Sequence, residues 1–431
     1  MPFNRTLMSL SMTCMLGTAT PALAAETTTA VDSQAVVTHY ADLALAIFGD
    51  SLTRARELHS AVEALISTPN DTTLQAARSA WIAARVPYQQ SEAFRFGNPI
   101  VDDWEGRVNA WPLDEGLIDY VAADSYGAES DENPFYTANI IANPSLEIGG
   151  QTLDASEITP ELLSTQLHEI DGVESNVATG YHAIEFLLWG QDLNGMEPGA
   201  GNRPATDYDI DNCTGGNCER RGDYLRAASA LLVQDLEEMV ANWEADGAAR
   251  TALTDKPVTE GLATITTGMG SLAYGELAGE RTKLGLMLHD PEEEHDCFSD
   301  NTHWSHYYDA KGIQNVYLGK YSRIDGSLME GPSLAAMVAS ADPALDQNLR
   351  QHLEQTQQAA QVLVDSAAAG EPYDVMIAPG NTAGGARIQA FVDALVAQTK
   401  VTEDVIARLE LGQVSVEGSD SLDNPGAVQT Q

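Results

Sequence analysis

The sequence predicts an all-α protein made of two helical bundles and long irregular loops. Apolar residues recur every three or four positions over most of the chain, which is the period of an amphipathic helix. The order long helix, long helix, irregular loop and short helix occurs twice, which indicates a diverged internal duplication. No glycine-rich phosphate loop follows a strand, and strands do not alternate with helices. A nucleotide-binding α/β fold is therefore disfavoured.

Residues 1–24 have the pattern of a secretory signal peptide. Arg5 supplies a positive charge, residues 7–18 form a short apolar core, and Ala22-Leu23-Ala24 is an A-x-A cleavage site. The apolar core is too short to cross a bilayer, and no later segment is apolar enough to do so. We therefore expect cleavage after Ala24 and a periplasmic or secreted protein that does not span the membrane.

The mature chain divides into two predicted domains at a stretch rich in glycine, proline and aspartate. The predicted helices are long and amphipathic, and they span residues 35–67, 72–96, 180–190, 223–246, 258–288, 333–369 and 384–411. The resulting division is an N-terminal bundle at 35–200, a linker at 201–221, a C-terminal bundle at 222–412 and a disordered tail at 413–431. Residues 97–160 lack the helical period except near 114–123 and 160–168, and a loop region of this length is usually functional.

The charge of the chain limits its partners. There are 64 acidic and 22 basic side chains, for a formal net charge of −42. A field of this sign repels nucleic acid and anionic membrane surfaces, and it attracts cations weakly. Nucleic-acid binding is therefore excluded as an expected function, and the simplest interpretation of the charge is a well-solvated surface.

Three cysteines follow the predicted cleavage site. Cys213-Thr-Gly-Gly-Asn-Cys218 contains two glycines that let the chain fold back, and we predict a short-loop disulfide within the linker. A Cys-x4-Cys metal half-site is the alternative, but the chain has no second cysteine pair to complete a tetrahedral site. Cys297 is left either as a buried thiol or as a partner of one of the other two.

The candidate site centres on the apolar run from Gly180 to Gly190, which contains His182 and Glu185. Residues three apart share one face of a helix, so the two side chains are expected to point the same way. A carboxylate and an imidazole in apolar surroundings need a partner. A metal ion is one such partner, as in the Glu-x-x-His pairs of helical bundles. A buried His–Glu hydrogen bond that only ties helices together is the alternative.

The Gly-x-His-x-x-Glu run and its Phe-Leu-Leu-Trp-Gly continuation resemble the signature of the imelysin-like family, especially its iron-regulated protein A branch. Further stretches that carry the resemblance lie at residues 81–96, 111–115 and 295–303, and the similarity extends over about 35–415. The resemblance implies a fold of two helical bundles with the motif near their interface. It also implies a periplasmic or surface role in iron uptake.

By analogy with related bundle proteins, other carboxylates complete a metal site begun by His182 and Glu185. The candidates are Glu92 and, beside Trp111-Pro112, Asp114 or Glu115. One nitrogen and two or three oxygens suit Fe(II), Fe(III), Mn(II) or Zn(II), and the resemblance makes iron the expected metal. The expected cofactor is thus a divalent or trivalent metal ion.

Each of these residues has a structural alternative. Glu92 is a candidate partner for Arg85 or Arg95 on its own helix. Asp114 is a candidate N-cap for the helical piece that follows it. Arg85 and Arg281 are candidates to clamp an anionic ligand, with a buried structural ion pair as the alternative.

A second cluster of candidate ligands lies between residues 289 and 306. Its members are His289, His295, Asp300 and His303, and the segment also carries a run of acidic residues that contains Pro291. The proline and the charges predict a loop, which is usually just solvated. A second metal or ligand site is the functional interpretation, and carboxylates also suit calcium, although EF-hand spacing is absent.

The motifs favour a binding protein over an enzyme. A His-Glu-x-x-His metallopeptidase motif is absent, because Gly172 stands where His168-Glu169 would need a second histidine. The serine hydrolase motif Gly-x-Ser-x-Gly is also absent, and we assign no catalytic residue. We predict a protein that binds a metal or a metal chelate and works with an iron-transport component of the inner or outer membrane. A metallopeptidase and a periplasmic scaffold or receptor for a protein are the alternatives.

Overall fold

Helices dominate the computed structural model, which describes residues 31–148 and 151–428. In chain order they are α1 (Ser33–Ser67), α2 (Asp71–Ser91), α3 (Pro99–Asn109), α4 (Ala123–Tyr126), α5 (Pro160–Leu162), α6 (Gly180–Trp189), α7 (Cys218–Trp243), α8 (Ala248–Thr254), α9 (Val258–Ser271), α10 (Leu284–Leu288), α11 (Thr302–Leu318), α12 (Leu334–Ala341), α13 (Pro343–Ala368), α14 (Tyr373–Ile377), α15 (Thr382–Arg408), α16 (Asp420–Asp423) and α17 (Pro425–Val428). The predicted helical class is confirmed. The predicted signal peptide lies outside the described residues.

Two small antiparallel hairpins interrupt the helices. Strand β1 (Ser145–Ile148) pairs with β2 (Gln151–Asp154), and β3 (Lys320–Ser322) pairs with β4 (Leu328–Glu330). Ser145 lies opposite Asp154 in the first hairpin, and Lys320 lies opposite Glu330 in the second. The predicted loop region at 97–160 thus contains α3 and a hairpin that the sequence did not predict, because both elements are short and mostly polar.

The long helices pack pairwise through their apolar faces. Helix α1 contacts α2 and α7, and α13 contacts α15 and α11. Asn70 begins α2 with a capping box, in which its side chain accepts hydrogen bonds from the amides of Thr72 and Thr73. The pairing of α2 with α11 connects the two predicted bundles. Contacts group the described residues into one unit, and the division into two duplicated bundles stays a prediction.

The segment predicted as one glycine-loosened helix at 258–288 is α9, a π-helical stretch at Leu272–Lys283, and α10. Its glycines leave room for the C-terminal segment of the chain to pack closely against it. A Cβ on Gly275 would lie 2.7 Å from the carbonyl oxygen of Glu417. The amide of Glu417 also donates to Ser271 Oγ at 3.0 Å. We expected residues 413–428 to be part of a disordered tail. They instead pack along the π-helical stretch, and they contain α16 and α17.

The linker contains the predicted disulfide between Cys213 and Cys218. Cys297 forms no disulfide. Among the described residues, no helix is both long and apolar enough to cross a membrane.

Candidate functional site

Helix α6 presents the predicted motif from the interior of the protein. All ten of its residues are buried. Gly180 begins the helix with φ +78°, and a Cβ there would lie 2.4 Å from the carbonyl oxygen of Val108. Gly190 ends the helix with φ +72°. Gly180 therefore allows α6 to begin directly against the backbone of α3. Both glycines also supply a positive φ that other residues rarely adopt.

His182 and Glu185 share a face of α6, as their spacing predicts. The ring nitrogen Nδ1 of His182 lies 3.1 Å from Glu185 Oε2. The His–Glu hydrogen bond considered from the sequence is therefore present. The other ring nitrogen, Nε2, is buried and has no hydrogen-bond partner. Because buried polar atoms are nearly always paired, an unpartnered nitrogen indicates a place where a ligand can bind.

The loop before α11 brings two further side chains to His182. The rings of His182 and His295 are 4.8 Å apart and nearly perpendicular. His182, His295 and Asp296 each offer a ligand atom, and these three atoms all lie within 4.8 Å of one another. The site thus combines α6 with a loop more than 100 residues later. His295 was a secondary candidate; Asp296 was missed, although it directly follows His295.

Hydrogen bonds hold the loop of His295 and Asp296 in place. Ser299 donates to Glu185 Oε1 through its amide at 3.0 Å and its hydroxyl at 2.6 Å. Asp296 accepts from Asn301 at 2.9 Å and from the hydroxyl of Ser305. Ser299 is a second residue that the sequence analysis missed, because a serine in a loop carries no signal of its own. These contacts position both acidic groups without consuming His182 Nε2.

The two candidate clamp residues form buried ion pairs. Arg85 donates to Asp296 at 2.8 Å and to Asn109 at 2.6 Å. Arg281 contacts Glu92 at 2.8 Å, and it also pairs with Glu276 and Asp309. The alternative of structural pairing is therefore observed for both arginines. The partner of Glu92 is Arg281, and neither of the pairings considered from its own helix, with Arg85 or Arg95, is observed.

Burial keeps the two histidines neutral. Desolvation, with the positive charge of Arg85 adding to it, lowers the pKa of His182 to about 3. Desolvation also lowers the pKa of His295 well below its usual range, and Arg281 and His182 add to the effect. Neutral imidazoles retain the lone pair that a metal ligand needs. The two rings are therefore chemically ready to bind a cation at any physiological pH.

Burial has the opposite effect on Glu185. Desolvation and the nearby charge of Asp296 raise the pKa of Glu185 well above its usual range, and Ser299 and Arg85 only partly offset them. A cation between these groups would stabilise both ionised carboxylates. Glu185 is therefore a group that a cation would stabilise in its ionised form, while Arg85 and Arg281 place positive charge near the two rings.

Further unpartnered polar atoms lie on the elements that surround His182. Each of these atoms is buried and makes no hydrogen bond. The atoms are Arg85 Nε, Tyr88 Oη, Gln89 Oε1, Tyr181 Oη and Asp309 Oδ1. The rings of Tyr88 and Tyr181 are 4.7 Å apart, and Gln89 contacts Asp309 at 3.4 Å. Such a concentration is unusual for a protein interior and is typical of a binding site.

The structure places the other predicted ligands elsewhere. Asp114 accepts from Asn133 at 2.5 Å and from Ser175 at 2.7 Å, and it occupies the N-cap position of a 3₁₀ turn without capping it. Glu115 accepts from Gln191 at 2.8 Å. Among the described residues, the group around His182 includes neither of them and does not include Glu92.

Asp114 and Glu115 instead line a neighbouring cavity of about 210 Å³. Trp111 also lines this cavity, and its ring packs 5.5 Å from the ring of His295. Glu292 and Asp192 complete its acidic wall. Trp111 therefore lies between this cavity and the ring of His295.

The remaining secondary candidates do not join His182. His289 Nδ1 lies 2.5 Å from the carbonyl oxygen of Ile377. His303 lies on α11 with its Nδ1 buried and unpartnered. Asp300 belongs to a second group of possible ligands with Asp192 and Asp374, whose ligand atoms lie within 4.8 Å of one another. Asp192 and Asp374 were not predicted, because isolated aspartates are common in loops and caps.

Comparison with known proteins agrees with this architecture. The model of the family described as Imelysin matches residues 44–402. Iron-regulated protein A of Synechococcus elongatus is 30% identical over 84 residues. That match spans only 24% of the relative's length and 20% of this chain.

Two solved structures share the fold. One is described as an iron-regulated protein A precursor from Parabacteroides distasonis; it has a TM-score of 0.63 at 19% identity and covers 87% of this chain and 94% of that chain. The other is an imelysin-like protein from Psychrobacter arcticum, with a TM-score of 0.57 at 18% identity, covering 89% of this chain and 100% of that chain. The family model extends over most of the sequence, and the chain therefore belongs to the imelysin family.

Proposed function

We propose that this protein binds a metal ion, with iron as the expected metal, through His182, His295 and Asp296, and that it acts in iron uptake. The observation that carries the proposal is the buried, unpartnered Nε2 of His182, which belongs to a group of three side chains with ligand atoms within 4.8 Å. Two imidazoles and one carboxylate suit Fe(II) and also Mn(II) or Zn(II).

Glu185 has a different role in this proposal from the one that its spacing suggests. Its carboxylate faces Nδ1 of His182, so the Nδ1–H donates to Glu185 and the lone pair remains on Nε2. Carboxylates that hold a metal-binding histidine in this way fix its tautomer and raise its basicity. We therefore assign Glu185 as a residue that positions His182, with Ser299 holding Glu185 in turn.

Charges of both signs lie around the proposed metal. Arg85 opposes a metal ion because it donates to Asp296. Each carboxylate oxygen has two lone pairs, so Asp296 can accept from Arg85 and still bind an ion. Desolvation and then the charge of Asp296 raise the pKa of Glu185, and Arg85 offsets them only in part, so a cation would stabilise this carboxylate.

The acidic cavity beside Trp111 is the proposed approach to the site. Its carboxylates include Asp114, Glu115 and Glu292. Clefts of one charge raise the local concentration of the opposite ion, and the net charge of −42 adds to this effect. Asp114 and Glu115, predicted as ligands, are then residues that attract the cation before it reaches the histidines.

The biological role rests on the relatives and on the sequence. The name iron-regulated protein A, which two of the similar proteins carry, supports a connection with iron. The signal-peptide pattern supports export, and the proposed location is the periplasm or the outside of the cell. The proposed partner is an iron-transport component of the membrane, to which the metal or its chelate would be passed.

Metal titration of the full mature chain tests the proposal. His182→Ala should lower the affinity for Fe(II) or Zn(II) by about a hundredfold while its circular dichroism stays helical. His352→Ala changes a partly exposed histidine that has no polar partner among the described residues, and this matched control should bind like the unmodified protein. Equal affinity in the two variants contradicts the proposal. Elemental analysis of protein purified without a nickel column should identify the metal.

A metallopeptidase is the second candidate, because the name of the matching family model classes it with peptidases. Glu185, next to His182, is the carboxylate best placed to act as a general base. Casein cleavage that disappears in Glu185→Gln and on chelation would replace the binding proposal. Intact partner binding in His182→Ala, without any metal, would instead favour a scaffold or receptor.

A further inference from the structure

A second group of acidic side chains lies where three segments meet. Asp192 follows α6, Asp300 lies just before α11, and Asp374 is in the first turn of α14. One carboxylate oxygen from each lies within 4.8 Å of the other two. The group shares no residue with His182, His295 and Asp296, and of its three members Asp192 also lines the acidic cavity beside Trp111.

The members of this group are not neutralised by basic side chains. In the part of the chain that the structure describes, none of the three forms an ion pair with arginine, lysine or histidine. Asp374 is fully buried, and neither of its carboxylate oxygens makes a hydrogen bond. The amides of Asp374 and Val375 are near enough to favour its ionised form, but they do not reach hydrogen-bond geometry. A buried carboxylate in this state needs a partner.

Two further oxygens strengthen the observation. Asp300 Oδ1 is buried and unpartnered, and this residue has a φ of +55°. Glu294 is 1% exposed and has an unpartnered Oε1; burial and then the charges of Asp374 and Asp300 raise its pKa. Four acidic groups from three separate parts of the sequence therefore lie close together.

We propose that Asp192, Asp300 and Asp374 bind a calcium ion that ties the loop after α6 to the loop before α11 and to α14. Calcium takes oxygen ligands at about 2.4 Å, so oxygens on opposite sides of the ion are separated by up to about 4.8 Å. The observed spacing of the three oxygens meets this limit. Magnesium, with ligands at about 2.1 Å, demands near-ideal octahedral geometry and gives up its water ligands reluctantly, so a site made only of carboxylates from three segments suits calcium better.

The proposed ion has a structural role next to the histidine pair. Asp300 directly follows Ser299, which donates to Glu185, and the same loop carries His295 and Asp296. Calcium at Asp300 would therefore hold the loop that completes the first site. It does so through carboxylates alone, so binding of calcium does not depend on His182.

Calcium titration of the full mature chain, first treated with a chelator, tests the proposal. The unmodified protein should take up one equivalent of calcium and unfold at a higher temperature when it is bound. Asp374→Asn should lower the calcium affinity by about tenfold or more, because affinity follows the number of charged ligands. Asp192→Asn, at a more exposed member of the group, should act in the same direction.

Two control variants distinguish calcium at these aspartates from calcium held loosely by the acidic surface or bound at the histidine pair. Asp103→Asn changes an exposed aspartate of α3 that has no polar partner within the described ranges, and it should leave calcium binding unchanged. His182→Ala should also retain calcium, which distinguishes this proposal from the one for the histidine site. Without calcium, Asp374→Asn should unfold at the same temperature as the unmodified protein or higher, since an unpaired buried charge is removed.

Several results would overturn the calcium site. They are no uptake of calcium at millimolar concentration, equal uptake by Asp374→Asn and the unmodified protein, loss of uptake in His182→Ala, and tighter binding of magnesium than of calcium.

Discussion

Asp119 and Glu185 are both fully buried carboxylates, but their surroundings differ. Asp119 accepts hydrogen bonds from Arg203 at 2.7 Å and from Arg221 at 2.6 and 3.0 Å. Glu185 accepts from Ser299 and faces the ring of His182, and it has no arginine in direct contact. Burial opposes ionisation at both positions. Two arginines outweigh it and lower the pKa of Asp119, whereas the pKa of Glu185 is raised.

The difference shows what marks a binding site in this protein. Burial of a charged group is common to both regions, so it does not separate structure from function. The absence of a countercharge does distinguish a functional group from a structural one, because a carboxylate without a countercharge can gain a cation from solution. The carboxylate of Asp119 already has two arginines as countercharges, whereas the carboxylate of Glu185 has none in direct contact and Nε2 of His182 has no partner.

Among the mutations that test this comparison, Asp119→Asn should have the largest effect on the unfolding free energy. Asp119→Asn removes the charge between Arg203 and Arg221, and should cost about 3–5 kcal/mol of unfolding free energy because two buried guanidinium groups lose their partner. Denaturant unfolding at pH 7 measures it. Because the folded pKa of Asp119 is lowered, the unmodified protein has this stabilisation at neutral pH and loses it as the pH falls below about 3.9. A loss under 1 kcal/mol would contradict the structural assignment.

The next effect concerns the helix that presents His182. Gly180→Ala should destabilise the protein by about 3 kcal/mol, because alanine is strained at φ +78° and its Cβ collides with the backbone of Val108. Gly106→Ala is the matched control within α3. Its Cβ would have nothing within 4 Å, so alanine should stabilise that helix by about 0.5–1 kcal/mol. Equal effects in thermal unfolding would remove the proposed role of Gly180.

A buried histidine outside the metal group gives a pH-dependent effect. Both ring nitrogens of His306 are unpartnered, and its ring stacks on Phe391. Burial and the charge of Arg281 lower its pKa to about 3, compared with about 6.5 in the unfolded chain, so protonation favours unfolding as the pH falls below 6.5.

At pH 5 this difference in pKa corresponds to about 2 kcal/mol, from 1.36 kcal/mol per pH unit. His306→Phe should therefore be more stabilising at pH 5 than at pH 7 by that amount. His352→Phe should show no such difference. Denaturant unfolding at both pH values measures the effect, and a stability gain that is independent of pH would contradict the assigned role of His306.

The smallest loss of stability is expected at Glu185. Glu185→Gln keeps the contacts to Ser299 and His182 but removes a charge that burial disfavours, so at pH 8 the metal-free variant should be at least as stable as the unmodified protein. The folded pKa of Glu185 is raised, so the metal-free protein should lose stability as the pH rises above about 4.3, and the variant should not. If Glu185→Gln lost as much unfolding free energy as Asp119→Asn, the proposed difference between the two carboxylates would be wrong.

The same variant should still weaken metal binding. The glutamine amide would donate to Nδ1 of His182 and move the ring proton to Nε2, where a metal needs the lone pair. A fall in affinity of about 10–100-fold is expected. Unchanged affinity in the same titration would mean that Glu185 does not control the tautomer of His182.

The sequence predicted the helical class and most long helices because apolar residues recur with a helical period. It also predicted that His182 and Glu185 share a face, since that follows from a spacing of three within one helix. It placed Glu92, Asp114 and Glu115 near them by analogy. The structure instead pairs Glu92 with Arg281 and places the other two beside a separate cavity.

The residues that meet His182 could not be predicted from local pattern. Asp296 and Ser299 lie in an irregular loop, and no periodicity says where a loop packs. Asp192, Asp300 and Asp374 lie far apart along the chain, and each alone resembles an ordinary loop or cap residue. Their convergence depends on how α6, α11 and α14 pack.

By itself, the sequence determined the helical class, most of the long helices, the family and the helix that carries the Gly-x-His-x-x-Glu motif, because these depend on spacing along a continuous stretch of chain. Tertiary structure decided which carboxylates gained an arginine and which did not, because a countercharge comes from residues distant in sequence and close only after packing. The presence or absence of such a countercharge distinguishes the paired Asp119 from the unpaired groups around His182 and Asp374.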